Sequence, residues 1–264
     1  MERTILPDGT RIETLAWGDG EPRACLLHEG LGSARLWRGF GAALAARLGG
    51  RVVAWSRAGY GGSDPCPLPR PRDYLQREAR DVLPRLLDAA GVRRVILLGH
   101  SDGASIAAIH GGDDPRIAGL VLVAPHVVAE DITRQGCLAA RVAYEAGDLR
   151  GRLARHHAAV DVAFYGWNDC WSSEQFHAGF DLMPEVRRIA RPVLAIQGEA
   201  DQYGTAAQIS LIADAAPVPV ETLLIPGIGH APHLEAEALV LDAVAAFAAR
   251  VLHHPVSGTA PWSR

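Results

Sequence analysis

Residues 95–103 read Val-Ile-Leu-Leu-Gly-His-Ser-Asp-Gly, an apolar run that ends in a serine held between two glycines. Few stretches restrict a fold so tightly. The run predicts a buried strand, and Ala104-Ser-Ile-Ala-Ala predicts a helix behind it, so Ser101 must occupy a sharp strand-to-helix turn. In such a turn Gly99 and Gly103 leave room for close backbone packing while the serine hydroxyl is lifted clear of the sheet. The free N–H groups at the start of the helix then face any negative charge that develops beside the serine. A G-x-S-x-G pattern alone recurs by chance, and a tight turn with an incidental serine is the plain alternative. What decides between them is whether an acid and a histidine follow in order.

They do. Arg191-Pro-Val-Leu-Ala-Ile-Gln-Gly-Glu-Ala-Asp201 reads as a buried strand ending in an acidic loop, and Val220-Glu-Thr-Leu-Leu-Ile-Pro-Gly-Ile-Gly-His230 as a further strand ending in a histidine. Leu26-Leu-His-Glu-Gly-Leu-Gly-Ser33 and Ser56-Arg-Ala-Gly-Tyr-Gly-Gly-Ser63 form glycine-rich loops after two earlier apolar runs. On these four motifs the chain resembles the α/β-hydrolase fold superfamily from residue 1 to about 252. The resemblance implies an α/β fold: a mostly parallel eight-stranded sheet with an antiparallel start, helices on both faces and a helical cap insertion.

The resemblance also assigns roles. Ser101 is the nucleophile, His230 its base and Asp201 the acid that orients the imidazole. Gly30 and Asp102 supply the two backbone donors of an oxyanion hole. Glu29 occupies a position where the family usually has glycine. Its carboxylate either points away or approaches the substrate, and the former is the expectation, although Glu29 and Leu31 are both carried as candidate substrate contacts. The Asp102 side chain either faces the pocket, where it would oppose anionic substrates, or turns toward backbone donors. His28, Arg57 and Ser63 are read as braces for their loops. His233 is the alternative base, Glu199 and the pair Glu130 and Asp131 are alternative acids, and the Gly-x-Gly-His and Gly-Glu-Ala-Asp matches select His230 and Asp201.

Alternating apolar and amphipathic segments predict strands near 3–6, 11–17, 24–28, 51–55, 94–99, 118–124, 192–197 and 220–225. Helices are predicted over 34–48, 73–90, 102–111, 205–215 and 233–252. The interval 129–189 breaks the alternation with a helical pattern rich in aromatics, and reads as a lid. Residues 1–128 and 190–252 then form the core domain, 129–189 the cap and 253–264 a tail. In the family such an insertion walls the active site, which makes Phe164, Tyr165, Trp167 and Trp171 pocket candidates; aromatics that glue cap to core are the other reading.

Composition narrows the chemistry. With 264 residues, 48% hydrophobic and 21% charged, the chain can bury one α/β core with an insertion. A net charge of −4 and sparse aromatics give no footprint for nucleic acid. All 26 basic residues are arginine, which removes Schiff-base, pyridoxal, Walker-lysine and serine-lysine chemistry. Cys25, Cys66, Cys137 and Cys170 lack a C-x-x-C spacing, and the pairs His156-His157 and His253-His254 lack a third ligand, so neither a disulfide nor a metal is expected. No dinucleotide fingerprint is present, and no cofactor is expected. The start resembles no signal peptide and no apolar stretch reaches spanning length, which predicts a cytoplasmic protein that acts on a small molecule without nucleic acid or membrane. Oligomeric state is not readable.

A serine nucleophile, in place of an aspartate, argues against dehalogenase or epoxide hydrolase chemistry in this fold. The expectation is hydrolysis of a carboxylic ester of a small to medium, apolar substrate through an acyl-enzyme. A carbon–carbon bond hydrolase of aromatic degradation, a thioesterase or a lactonase would use the same residues. The reading from a different class is a ligand-binding receptor on a hydrolase scaffold.

Overall fold

The computed structural model describes residues 2–112 and 114–253; the tail expected over 253–264 lies, beyond His253, outside them. Eight strands run β1 (Glu2–Ile5), β2 (Arg11–Trp17), β3 (Pro22–Leu27), β4 (Arg51–Trp55), β5 (Val95–His100), β6 (Ile117–Val123), β7 (Val193–Gly198) and β8 (Val220–Ile225). They form one sheet in the order β1-β2-β4-β3-β5-β6-β7-β8. β2 pairs antiparallel with β1 and β4, and every pairing from β4 to β8 is parallel.

The interior strands β5, β6 and β7 are buried at every position, which is why they read as continuous apolar runs. Their side chains still alternate between two cores. Leu97, Leu122 and Ala195 face one side with Leu83 and Leu87, whereas Leu98, Val123 and Ile196 face the other with Phe40, Leu44, Val244 and Phe247. Helices α1 (Phe40–Leu48) and α12 (Glu237–His253) cover the second face. The first is covered by α2 (Tyr74–Arg77), α3 (Leu83–Ala89), α4 (Asp102–His110) and α10 (Ala207–Ala215).

Between β6 and β7 the interval 129–189 contains α5 (Asp131–Glu145), α6 (Leu149–Leu153), α7 (Val160–Trp171), α8 (Glu174–Gly179) and α9 (Met183–Val186). Three predicted helices are interrupted. The segment 73–90 widens into a π turn over Glu78–Val82, just ahead of Pro84, which has no N–H to continue an α ladder. The segment 34–48 starts as a 3-10 turn, Ala34–Trp37, and breaks at Arg38, whose φ is 48°. The segment 233–252 is split at Ala236 into α11 (Pro232–Glu235) and α12.

Candidate active site

The turn after β5 is as tight as its sequence demands. A Cβ on Gly103 would lie 2.0 Å from the Leu27 carbonyl oxygen, and one on Gly99 would lie 2.1 Å from the Gly103 oxygen. Only glycine lets α4 approach β3 and β5 this closely. Ser101 carries the resulting strain at φ 53° and ψ −115°, a region that costs a non-glycine residue about 1–3 kcal/mol. Its backbone is fixed on both sides, since its N–H donates to Val123 O at 2.9 Å and its carbonyl accepts from Ala104 N and Ser105 N. The Asp102 N–H opens α4 and is one of the first-turn donors without an intrahelical acceptor.

Asp201 and His230 come together beyond the ends of β7 and β8. His230 Nδ1 donates to Asp201 Oδ2 at 2.7 Å. The same oxygen accepts from Gln197 Nε2 at 2.7 Å, while Oδ1 accepts from the N–H groups of Tyr203 at 2.7 Å and Gly204 at 3.3 Å. Burial raises the Asp201 pKa, but the His230 bond and charge and the Tyr203 N–H outweigh it and hold the carboxyl below its usual range. With Nδ1 spent on Asp201, His230 presents Nε2 to the cavity. Its loop is pinned by Glu235, which accepts from Gly229 N and Ala231 N, and by His100 Nε2, which donates to the His230 carbonyl at 2.7 Å.

The alternatives lie elsewhere. Glu130 accepts from Thr205 N, Thr205 Oγ1 and Gln208 Nε2, and Glu199 is exposed. His233 is buried against the rings of Trp37, Phe40 and His100.

The loop after β3 is held by groups from two other loops. His28 Nδ1 donates to Glu29 O at 2.7 Å and Nε2 accepts the Arg57 N–H at 3.0 Å. Burial, with the Arg57 charge nearby, drives its pKa far down, so the ring is neutral. Arg57 Nη1 donates to His28 O at 2.6 Å and Nη2 to Glu29 O at 3.0 Å. Ser63 Oγ donates to Ser56 O and accepts from Glu13 N. His157 is buried, with Nδ1 accepting from Gly61 N and Nε2 donating to Leu31 O, each at 3.0 Å.

The two unusual carboxylates resolve differently. Asp102 is buried and turns to side chains, not backbone: Oδ2 accepts from Tyr74 OH at 2.6 Å and lies 3.5 Å from Arg57 Nη2. Trp171 Nε1 in turn donates to Tyr74 OH at 2.8 Å. Glu29 does not point away, as expected, but lines the cavity with Oε2 3.5 Å from His100 Nδ1. Burial raises its pKa, yet His100 beside it more than offsets this and holds the carboxyl well below the usual glutamate range.

A cavity of about 140 Å³ brings these groups together. Ser101, Asp102 and His230 form its floor, and Glu29, Gly30 and Leu31 one wall. Trp167 and Trp171 from α7 and Thr133 and Cys137 from α5 cover it. Gly30 is pressed so closely on Trp167 that a Cβ there would lie 2.2 Å from the indole. Two of the four aromatics expected at the pocket are absent from its lining. Phe164 is buried within the insertion, stacked on Tyr144 at 3.6 Å, and Tyr165 packs beside Tyr144 under the Arg141 guanidinium. His126 and Tyr203 complete the wall and were not singled out from the sequence. Both follow strand C-termini, the edge where open α/β sheets bind ligands.

Among the described residues no three His, Cys, Asp or Glu side chains could hold a metal ion, and no helix is long and apolar enough to cross a membrane. The four cysteines are unpaired.

Fold and motifs define a hydrolase scaffold, and the comparisons agree. A family model described as Alpha/beta hydrolase family matches residues 26–243. The chain belongs to this family and is classed with its hydrolases. Over 64 residues, 24% of the chain, it is 41% identical to Serine hydrolase BPHL of Mus musculus; that stretch spans only 22% of the mouse protein. Two solved structures share the fold. A thermophilic esterase from Thermogutta terrifontis superposes with a TM-score of 0.74 at 18% identity, covering 95% of this chain and 99% of that one. The enol-lactonase from Burkholderia xenovorans LB400 gives 0.70 at 20% identity, covering 93% and 99%.

Proposed function

We propose that this protein is a serine hydrolase that cleaves a small carboxylic ester through an acyl-enzyme. The observation that carries the reading is Ser101, strained at φ 53°, opening into the same cavity as a His230 whose Nδ1 is bound to Asp201 at 2.7 Å. Ser101 Oγ attacks the acyl carbon while its proton passes to His230 Nε2. Asp201 stabilises the imidazolium and fixes the ring. The Gly30 and Asp102 N–H groups receive the negative oxygen of the tetrahedral intermediate. Collapse of that intermediate expels the alcohol, which takes the proton from His230. Water then attacks the acyl-enzyme by the same route, giving up its proton to His230, and Ser101 leaves protonated with release of the acid.

Cavity size supports a small acyl group. At about 140 Å³ it is close to the apolar cavity of about 150 Å³ that holds one benzene, and below the range of about 300–1,000 Å³ typical of drug-sized ligands. This favours a short ester over the bulkier carbon–carbon substrates of aromatic degradation. Its cover of Trp167, Trp171 and Cys137 suits an apolar acyl chain, and the whole insertion 129–189 acts as the cap in this reading.

The test is hydrolysis of a p-nitrophenyl ester series of increasing acyl length by the wild type and Ser101→Ala. Turnover should peak at short acyl chains and fall by at least about 10³-fold in the variant. Folded wild type that hydrolyses no ester, or a variant within about tenfold of wild type, overturns the proposal.

A further inference from the structure

Two polar side chains in the cavity wall take no part in the steps above. His126 lies three residues past the end of β6 and Tyr203 two residues past Asp201. Both rings pack near His230, with centroids 5.7 and 4.8 Å from its own. His126 is 3% exposed, and its Nδ1 is buried without a hydrogen-bond partner among the described residues. Its Nε2 and the Tyr203 hydroxyl also have no partner among those residues. Thr133, on the same cavity, differs: its hydroxyl is spent on Tyr203 O at 2.6 Å. Burial, helped by His230, pushes the His126 pKa down to about 3, and burial pushes that of Tyr203 up to about 12. Both groups are uncharged at neutral pH.

Their place relative to His230 says what they can touch. The leaving-group oxygen must reach His230 Nε2, because that nitrogen returns the proton to it. Atoms next to that oxygen therefore lie beside the rings packed near His230. A neutral imidazole offers one donor and one acceptor, and so does a phenol. His126 Nε2 and the Tyr203 hydroxyl, which have no partner among the described residues and belong to side chains that line the cavity, favour a ligand that completes their hydrogen bonds over one that cannot. The ionised Glu29 in the same wall disfavours an anion.

We propose that His126 and Tyr203 form a leaving-group subsite that selects esters whose alcohol carries a second, uncharged hydroxyl, as in a monoacylated diol or polyol. This deepens the ester-hydrolase reading and rests on it.

The test compares 2-hydroxyethyl butyrate with n-propyl butyrate, in which a methyl replaces the distal hydroxyl, and normalises each rate to hydroxide-catalysed hydrolysis. Wild type should favour the hydroxyethyl ester in kcat/KM by about tenfold, the worth of one well-formed buried hydrogen bond. His126→Phe and Tyr203→Phe should each bring the ratio toward one. The ratio does not depend on how much of a variant folds, and Tyr203→Phe, which loses a single oxygen, decides the matter if His126→Phe is not recovered. Equal rates in wild type overturn the subsite while leaving the ester reading intact, as does a preference that survives both variants. Faster cleavage of butyrylcholine than of either neutral ester assigns the selectivity to a cation and also overturns it. Folded wild type that cleaves none of the three overturns the ester reading and the subsite with it.

Discussion

Asp201→Asn keeps the shape of the site and inverts one of its hydrogen bonds. The native carboxylate accepts four N–H donors, two on each oxygen. An amide has one oxygen, so one pair of donors must meet an NH₂. The backbone donors Tyr203 N and Gly204 N on Oδ1 cannot turn away, whereas the Gln197 amide and the His230 ring on Oδ2 can adjust. The asparagine oxygen therefore takes the backbone side and its NH₂ faces His230 Nδ1. Gln197 can flip, because its Oε1 has no partner among the described residues, at the loss of its bond to Gly204 O. His230 relieves the clash only by moving its proton from Nδ1 to Nε2, and a protonated Nε2 cannot accept the Ser101 proton. The lost tautomer and lost charge together are worth about 10⁴ in kcat, or about 5.4 kcal/mol of barrier. The assay is kcat/KM for a short p-nitrophenyl ester at pH 7, with thermal unfolding to establish that the variant is folded. A folded variant within about tenfold of wild type would refute the reasoning, and an equal loss in Glu130→Gln would move the acid to the other strand end.

Gly103→Ala should destabilise the fold by more than about 4 kcal/mol, the exceptional range for single substitutions, because its Cβ would meet the Leu27 backbone at 2.0 Å; a urea midpoint near wild type would show that α4 and β3 are not so close. Glu13, whose side chain is fully buried, bears on acid stability. Burial raises its pKa, but the Gly62 N–H, the Ser56 hydroxyl and Arg35 hold it below the usual glutamate value. Its contribution is thus complete above the unfolded pKa of about 4.3 and is lost as pH falls from there through the lower folded value. The stability gap between wild type and Glu13→Gln should narrow below about pH 4, and a gap that stays constant by urea titration from pH 7 to pH 3 contradicts the assignment.

The interior strands were legible because parallel strands buried on both faces leave an apolar signature, and the candidates Ser101 and Asp201 stood out because each comes within three residues of such a strand; the candidate His230 follows β8, which is largely half-buried or exposed, and stood out by its Gly-x-Gly-His loop. The insertion shows the limit. Along α5 and α7 the sequence displays two apolar stripes, Thr133, Cys137, Ala140 and Tyr144 on one and Phe164, Trp167 and Trp171 on the other. Periodicity fixes the stripe but not which end overlies a cavity. One end, with Thr133, Cys137, Trp167 and Trp171, covers the site, whereas at the other Tyr144 and Phe164 stack on each other. The His126 and Tyr203 side chains make no hydrogen bond among the described residues, so no local pattern announced them. Glu29 was visible as a departure from glycine, but its direction depends on His100, which is 71 residues away in sequence and meets it only when β3 and β5 pair.

The side chain beside the nucleophile illustrates how far such distant partners govern the site. Asp102 and Arg57 are both nearly fully buried, and a buried ion pair recovers its desolvation cost only when its remaining polar atoms are satisfied. Here they are not all satisfied: Asp102 Oδ1 and Arg57 Nε have no hydrogen-bond partner among the described residues. What the pair does supply is connection. From Trp171 on α7, through Tyr74 and Asp102 to Arg57 and the carbonyls of His28 and Glu29, one polar chain runs between the cover of the cavity, the first turn of the nucleophile helix and the loop carrying Gly30. Each of those three elements comes from a different part of the sequence, and an apolar substitution at Asp102 or Arg57 alone would leave the other's buried charge unpaired. The geometry around Ser101 is therefore set jointly by the insertion and the core, and a change at Trp171 should be felt at Gly30 through contacts that neither residue makes directly.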